Sequence, residues 1–184
     1  LKPTKTIMDA VLKVDKHRTF PKYASRTFEK WYKKNVAAFQ NSFPRHVSMF
    51  HGCYVNYNYP QLGKDLVSVM NALGYGVHLL ENEKCCGTAL ISNGMIDQAK
   101  RNAANNIESM RKSVYERQMP VISTSSSCTF TMRDEYPHLL GIKNEDVRDY
   151  IELATRFIYK LIDQDKVKLV FKKGYKAKVA YHTP

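Results

Sequence analysis

Residues 77–87, with the sequence VHLLENEKCCG, place a short apolar strand a few residues before two adjacent cysteines and a glycine. The same arrangement of strand and cysteine is predicted twice more. A strand at residues 46–50 leads to Cys53, and a strand at residues 120–124 leads to Cys128. Each of the three strands is therefore followed closely by cysteine.

Amphipathic helices are predicted between these strands. Apolar side chains recur at helical spacing from Pro60 to Leu73, from Met95 to Arg117 and from Asp146 to Asp165. A fourth strand is predicted at residues 178–181. Strands that alternate with helices indicate an α/β fold, Rossmann-like, with a mostly parallel sheet.

The four cysteines are the main candidate site. Because the carboxyl ends of parallel strands meet at one edge of a sheet, we expect Cys53, Cys85, Cys86 and Cys128 to lie close together. Soft thiolates bind zinc or iron–sulfur clusters. The paired short spacings typical of structural zinc are absent from the sequence, and adjacent cysteines favour a cluster with several iron atoms. Zinc, buried cysteines without a metal, and a redox disulfide stay open as alternatives.

Five further residues are candidates for contacts around such a site. His51 and His182 could supply a nitrogen ligand or a proton relay, or simply bind loop backbone. Gly87 would allow a positive φ and a close approach of the backbone to a cluster. Ser125 and Ser127 could donate hydrogen bonds to cluster sulfurs or cap the following helix.

The composition excludes several classes of protein. The 184 residues suffice for one globular domain, and no apolar run is long enough to cross a bilayer. Four cysteines are too few for a disulfide-rich secreted scaffold and suit a reducing compartment. No phosphate-binding glycine loop and no Ser/His/Asp arrangement is found. Asp134 and Glu135 are expected on a solvated helix face.

Most of the net charge of +12 belongs to residues 1–45, a basic leader with eleven Lys/Arg against three Asp/Glu. Two short helices are predicted there, at residues 4–15 and 25–40, with aromatic side chains between the basic ones. The leader could be a connector whose aromatics pack on the next domain, or a surface for anionic lipid or an acidic partner protein. Nucleic acid is a third alternative, but no recognised binding motif accompanies the charge.

Four segments carry a resemblance to a known family. They are HGCYVNYN at 51–58, PQLGKD at 60–65, EKCCG at 83–87 and RDEYP at 133–137. Together with the cysteine spacing they resemble the CCG cysteine-rich domain family, and within it the C subunits of bacterial anaerobic glycerol-3-phosphate dehydrogenases. The similarity covers nearly the whole chain, including the basic leader.

The resemblance implies an electron-transfer subunit that is not an enzyme by itself. It would hold an iron–sulfur cluster of 4Fe-4S type, cubane or noncubane, on the four cysteines, although the isolated chain could lose it. Electrons would pass from the flavin-containing A and B subunits to the membrane quinone pool. The protein would lie peripherally on the cytoplasmic face of the bacterial inner membrane, without binding nucleic acid. The alternatives are a thiol–disulfide or quinone reductase domain like the B subunit of heterodisulfide reductase, and a docking domain with zinc or unliganded cysteines.

The resemblance also implies a domain plan and one departure from the family pattern. The plan is a leader at 1–45, a first CCG domain at 46–178, and the start of a second repeat at 179–184, all within a longer protein that begins with a ferredoxin-like module. The fullest family motif carries a fifth cysteine, three residues from the fourth. Ser125 and Thr131 occupy those positions here, so at most four thiolates are available.

Overall fold

The computed structural model describes residues 2–15, 17–19, 21–170, 174, 177, 178 and 180. Its sheet has four parallel strands in the order β2-β1-β3-β4. The strands are β1 (Arg45–Phe50), β2 (Tyr75–Leu79), β3 (Val121–Ser123) and β4 (Ile151–Leu153). The predicted Rossmann-like α/β class with a parallel sheet is confirmed.

Helices precede the sheet, connect its strands and follow it. They are α1 (Lys2–Leu12), α2 (Phe28–Asn35), α3 (Gly52–Tyr57), α4 (Pro60–Ala72), α5 (Thr88–Ser92), α6 (Ile96–Arg111), α7 (Ser126–Phe130), α8 (Tyr136–Leu140) and α9 (Ala154–Asp163). Short 3₁₀ turns occupy Ala37–Ser42 and Arg148–Tyr150, and π-helical turns extend α6 over Lys112–Glu116 and α7 over Thr131–Glu135.

Two hydrophobic clusters cover the two faces of the sheet. On the first face, Val47 and Met49 of β1 pack with side chains of α2, α4 and α9. On the second face, Phe50 and Val121 pack with side chains of α6 and α8. Alternate residues of β1 point to opposite faces, so both faces are buried, as expected for a parallel sheet covered by helices.

The predicted helix at residues 146–165 is wrong in its first half. Residues 148–150 form a 3₁₀ turn, and Ile151 begins β4, where it pairs with Val121 and is fully buried. Only α9 is helical. Ile151, Ala154 and Ile158 are spaced as on a helix, and a three-residue strand is too short to interrupt that pattern.

The strand predicted at residues 178–181 cannot be compared with the structure, because residues 179 and 181 lie outside the described residues. His182 lies outside them as well. The fourth strand of the described sheet is β4 instead.

The two helices of the leader differ in their packing. Phe28 of α2 is fully buried, and it lies so close to α4 that a Cβ on Gly63 would be 2.7 Å from its ring. In α1, by contrast, the apolar side chains of Ile7, Val11 and Leu12 are exposed. The described helices include none that is long and apolar enough to cross a membrane.

Candidate metal centre

All four cysteines lie at the carboxyl edge of the sheet, as predicted. Cys53 is in the first turn of α3, directly after β1; Cys85 and Cys86 are in the loop after β2; Cys128 is in α7, after β3. The thiol of Cys53 is hydrogen-bonded to Cys85, and Cys85 to Cys86. The Sγ of Cys86 donates to the Sγ of Cys128 at 3.1 Å. The four sulfurs therefore form one connected row.

Within this row, thiols that donate alternate with sulfurs that accept. Accepting hydrogen bonds from Cys53 and Cys86, with a further one from the Gly87 N–H, lowers the pKa of Cys85. Accepting from Cys86, and also from Ser125, lowers the pKa of Cys128 to about 7. Donation to Cys85 raises the pKa of Cys53. Cys86 has a single hydrogen, which it donates to Cys128 and shares with Cys85, and this sharing together with burial raises its pKa. The metal-free site thus stabilises thiolate at Cys85 and Cys128.

The row is not a cage for a single ion. Among the described residues, no three or more His, Cys, Asp and Glu side chains are grouped so as to hold one metal ion. All four cysteines are free thiols, from the exposed Cys53 to the buried Cys86. Four adjoining thiols in a row fit a group with several metal atoms, in which each sulfur reaches a different atom.

Glu83 fastens the Cys53 turn to the loop after β2. Its carboxylate accepts the backbone N–H groups of His51, at 3.0 Å, and Gly52, at 2.8 Å. The side chain is only 6% exposed, and burial raises its pKa to about 8 against the opposing effect of the two N–H groups. The left-handed φ of Gly52 (+69°) turns the chain there, and Cys53 follows at the start of α3.

Asn106 of α6 holds the loop that carries Cys85 and Cys86. Its side chain accepts from the Lys84 N–H at 2.8 Å, donates to the Lys84 carbonyl at 3.1 Å, and donates to the Tyr136 hydroxyl oxygen at 3.1 Å. The neighbouring Asn102 donates to the Cys85 carbonyl at 3.3 Å. Two side chains of one helix thereby fix the backbone on both sides of Cys85.

Hydroxyl groups continue inward from Cys86. The Thr88 Oγ1 lies 3.2 Å from the Cys86 Sγ and 2.7 Å from the Thr131 Oγ1. The Thr131 hydroxyl in turn donates to the Glu135 Oε2 at 2.5 Å. Thr131 thus occupies the fifth-cysteine position of the family motif with a buried hydroxyl, in the immediate surroundings of Cys86.

The additional residues predicted from the sequence have different surroundings. His51 is held by loop contacts, with its Nδ1 3.1 Å from the Gly52 carbonyl and 3.2 Å from Glu83, and burial lowers its pKa. Gly87 has a φ of +97° and donates its N–H to Cys85. Ser125 caps α7 by accepting the Cys128 N–H at 3.2 Å, whereas Ser127 is exposed.

The expectation of a solvated face at Asp134 and Glu135 is wrong. Both are half-buried, since Asp134 is ion-paired with Arg148 and Glu135 accepts from Thr131. Sequence reasoning also missed Glu83, Thr88 and Asn106. Glu83 and Thr88 flank the adjacent cysteines within two residues, which was a signal that could have been used; Asn106 offered no local signal.

A pocket of about 710 Å³ opens beside Cys53 and Cys85. One wall comes from α2 of the leader, through Glu29 and Lys33, and another from the loop after β2, with Glu81 and Lys84. The pocket is therefore lined by charged groups of both signs next to two of the thiols.

Comparison with known proteins agrees with the geometry. Residues 47–133 match the family model described as a cysteine-rich domain, CCG. The chain is 52% identical over its full length to the C subunit of the anaerobic glycerol-3-phosphate dehydrogenase of Escherichia coli, of which it covers 46%. It is 32% identical over 75% of its length to the D subunit of the dihydromethanophenazine:CoB–CoM heterodisulfide reductase of Methanosarcina mazei, covering 33% of that protein.

An uncharacterized iron-sulfur protein of Methanocaldococcus jannaschii is 28% identical over 75% of the chain, which covers 25% of that protein. The chain thus spans less than half the length of these relatives. No solved structure matches it significantly. The cysteine row, the family match and the full-length similarity agree, and the chain carries a CCG cysteine-rich domain at residues 47–133.

Proposed function

We propose that this chain is part of the electron-transfer subunit of an anaerobic glycerol-3-phosphate dehydrogenase, and that Cys53, Cys85, Cys86 and Cys128 hold an iron–sulfur cluster of 4Fe-4S type. The observation that carries the proposal is the connected row of four thiols at one edge of the sheet. A bound cluster would supply one-electron oxidation and reduction. The protein part of the site holds the sulfurs, stabilises thiolates and separates them from bulk water on the Cys86 side.

Two features favour a cluster over zinc. The row contains the adjacent pair Cys85–Cys86, whose sulfurs contact different partners, Cys53 on one side and Cys128 on the other. Structural zinc usually draws on paired short spacings of the Cys-x-x-Cys kind, which this sequence lacks. One relative also carries iron–sulfur in its name.

The partners follow from the full-length similarity. The E. coli relative is one of the subunits of a glycerol-3-phosphate dehydrogenase, so we expect this chain to assemble with other subunits of such an enzyme. We assign the electron donors to flavin-containing A and B subunits and the acceptor to membrane quinone. The exposed Cys53 and the pocket beside it are the parts of the site that another protein or a small molecule could reach.

The leader supports a peripheral position on the cytoplasmic face of the inner membrane. Helix α1 exposes Ile7, Val11 and Leu12, and the basic Lys5 and Lys13 lie on or beside the same helix. Apolar side chains flanked by lysines suit the surface of a bilayer with anionic lipids. Flotation with vesicles of anionic or neutral lipid tests this directly. Val11→Ser with Leu12→Ser should reduce binding to the anionic vesicles, whereas Tyr159→Ser, at an exposed aromatic of α9, should not.

Metal analysis of protein purified without oxygen tests the main proposal. We expect iron and acid-labile sulfide in equal amounts, several of each per chain, and a brown colour. Cys86→Ser should remove most of the iron, and Ser92→Ala, at an exposed hydroxyl of α5, should retain it. Colourless protein that takes up no iron on anaerobic reconstitution, or that binds one zinc instead, would refute the cluster.

The pocket gives a second candidate function some support. A volume of about 710 Å³ next to Cys53 and Cys85 is large enough for a small organic substrate, as a thiol–disulfide or quinone reductase domain would need. Reduction of a disulfide or a water-soluble quinone by this chain with an artificial electron donor would favour that function. Electron transfer only within the assembled complex would favour the first proposal.

A further inference from the structure

Four groups form a line of close polar contacts from the buried side of the site to the half-buried surface. The line runs from the Cys86 Sγ to the Thr88 Oγ1 at 3.2 Å, on to the Thr131 Oγ1 at 2.7 Å, and ends at the Glu135 Oε2 at 2.5 Å. Thr131 is 1% exposed, so the protein supplies the partners of its hydroxyl.

The direction of the hydrogen bonds follows from the last group. Each threonine hydroxyl has a single hydrogen to donate. Thr131 gives its hydrogen to Glu135. Its oxygen must therefore accept the hydrogen of Thr88. The Thr88 oxygen then faces the Cys86 sulfur without giving it a hydrogen, and the hydrogen of the Cys86 thiol goes to Cys128.

Hydrogen bonds donated to the sulfurs of an iron–sulfur cluster stabilise its more negative, reduced state and raise its reduction potential. A hydroxyl that lies 3.2 Å from a ligand sulfur is close enough to make such a bond. In this line the Thr88 hydroxyl does not donate a hydrogen bond to the Cys86 sulfur, because it donates its hydrogen to Thr131.

We propose that Glu135, acting through Thr131, turns the Thr88 hydroxyl away from the Cys86 sulfur and thereby keeps the reduction potential of the bound cluster low. Thr88, Thr131 and Glu135 are positioning residues in this scheme. The scheme deepens the proposed function and rests on it, since a potential exists only if the cysteines hold a redox-active cluster.

The local fold explains how the line is held. The π-helical turn Thr131–Glu135 widens the end of α7, and it places Thr131 and Glu135 on one side, four residues apart. Thr88 begins α5 directly after Gly87, so the left-handed turn at Gly87 sets the position of its hydroxyl relative to Cys86.

The test is an anaerobic redox titration followed by EPR on chains with equal iron content. Thr131→Val removes the acceptor for the Thr88 hydrogen and leaves Cys86 as its nearest partner, so we expect a shift of the midpoint potential to a higher value. Glu135→Gln, whose amide can donate to Thr131, should shift the potential in the same direction. Thr129→Val is the matched control, because this buried threonine of α7 bonds the Ser125 carbonyl and lies outside the line.

A double variant separates a hydrogen-bond effect from a packing effect. In a Thr88→Val background no hydroxyl faces Cys86, so Thr131→Val should no longer shift the potential. A shift that persists in that background overturns the proposal. So does a Thr131→Val potential equal to that of the Thr129→Val control, or one that moves to a lower value.

The metal-free, reduced chain gives a second readout that does not depend on iron. Hydroxyl protons that are held by hydrogen bonds in such a line exchange slowly, and NMR should detect those of Thr88 and Thr131, with the Thr88 signal altered in Thr131→Val. If the wild-type chain takes up no iron, the proposed cluster fails while these signals still decide whether the line exists. Hydroxyl protons that exchange as fast as those of exposed threonines would overturn it.

Discussion

The four cysteines form two pairs with different surroundings. The outer pair, Cys53 and Cys85, borders the open pocket, whose walls carry charged side chains from α2 and from the loop after β2. The inner pair, Cys86 and Cys128, packs against the hydrophobic cluster on the second face of the sheet, and Cys86 is 3% exposed. The inner pair is thus anchored by the core, whereas the outer pair is within reach of other molecules.

The difference indicates separate roles for the two pairs of cysteines. A buried ligand pair excludes water and fixes the position of a bound group, and it can be tuned only by neighbours such as Thr88. An exposed pair brings the group close to the surface, where electrons enter or leave. Variants that affect one side at a time can test this division.

The largest effect is expected on the outer side, from Phe28→Ala. Phe28 of α2 is fully buried against α4 and stacks on Trp31. Its loss leaves a cavity and weakens the attachment of α2, the helix that contributes Glu29 and Lys33 to the pocket wall. We expect unfolding to become easier by about 3–5 kcal/mol in urea titrations.

The matched control is Tyr23→Ala, which removes an exposed aromatic of the same leader and should change stability by less than about 0.5 kcal/mol. If Phe28→Ala were as mild as this control, α2 would be a loosely attached connector and could not be a fixed wall of the outer side.

On the inner side, Asn106→Ala should destabilise the chain by about 2–3 kcal/mol, because it removes a fully buried side chain that bonds the Lys84 N–H and carbonyl and the buried Tyr136 hydroxyl. Urea unfolding measures the loss. Asn105→Ala, which removes a single exposed bond to the Asn82 carbonyl, should cost about 1 kcal/mol or less. Equal losses in the two variants would contradict the role given to Asn106 in holding the Cys85–Cys86 loop.

One member of each pair, Cys85 of the outer and Cys86 of the inner, should also differ in reactivity towards a soluble alkylating agent in the metal-free, reduced chain. Cys85 should react first, since its pKa is lowered and it is partly exposed, and the buried Cys86, whose pKa is raised, should react at least about tenfold more slowly. Mass spectrometry after short exposures gives the order. In urea the four rates should converge, and an unchanged order there would mean that local sequence sets the reactivity.

The sequence predicted the place of the cysteines because their position depends on a simple rule. Each cysteine closely follows a strand, and parallel strands end at one edge, so the convergence needs no knowledge of side-chain packing. The strand β4 was missed because Ile151 and Ala154 keep helical spacing, and only pairing with Val121 reveals the strand.

The division into an outer and an inner pair could not be predicted, since it depends on contacts between distant segments. Thr88 meets Thr131, 43 residues away, and Asn106 meets Lys84, 22 residues away. The burial of Phe28 against Gly63 likewise depends on how α2 crosses α4. Local periodicity carries no information about such pairs.

The smallest effect is expected from a histidine pair outside both cysteine pairs. The His78 Nε2 lies 3.1 Å from the His46 Nδ1, and burial, with His46 and Arg117 nearby, lowers the pKa of His78 below its ordinary 6.5. Below about pH 6.5 the unfolded chain therefore binds a proton that the folded chain does not, so stability should fall as the pH decreases and be fully present above that value.

Urea midpoints at about pH 7.5 and about pH 5.5 measure this dependence. His78→Gln should reduce the difference between the two midpoints, whereas His138→Gln, at an exposed position of α8, should leave it unchanged. Because His78 is half-buried, its contribution should be smaller than the losses from Phe28→Ala and Asn106→Ala. If His78→Gln kept the full pH dependence, the acid sensitivity would have to come from other groups whose pKa the fold lowers, of which His51 lies beside the outer cysteine pair.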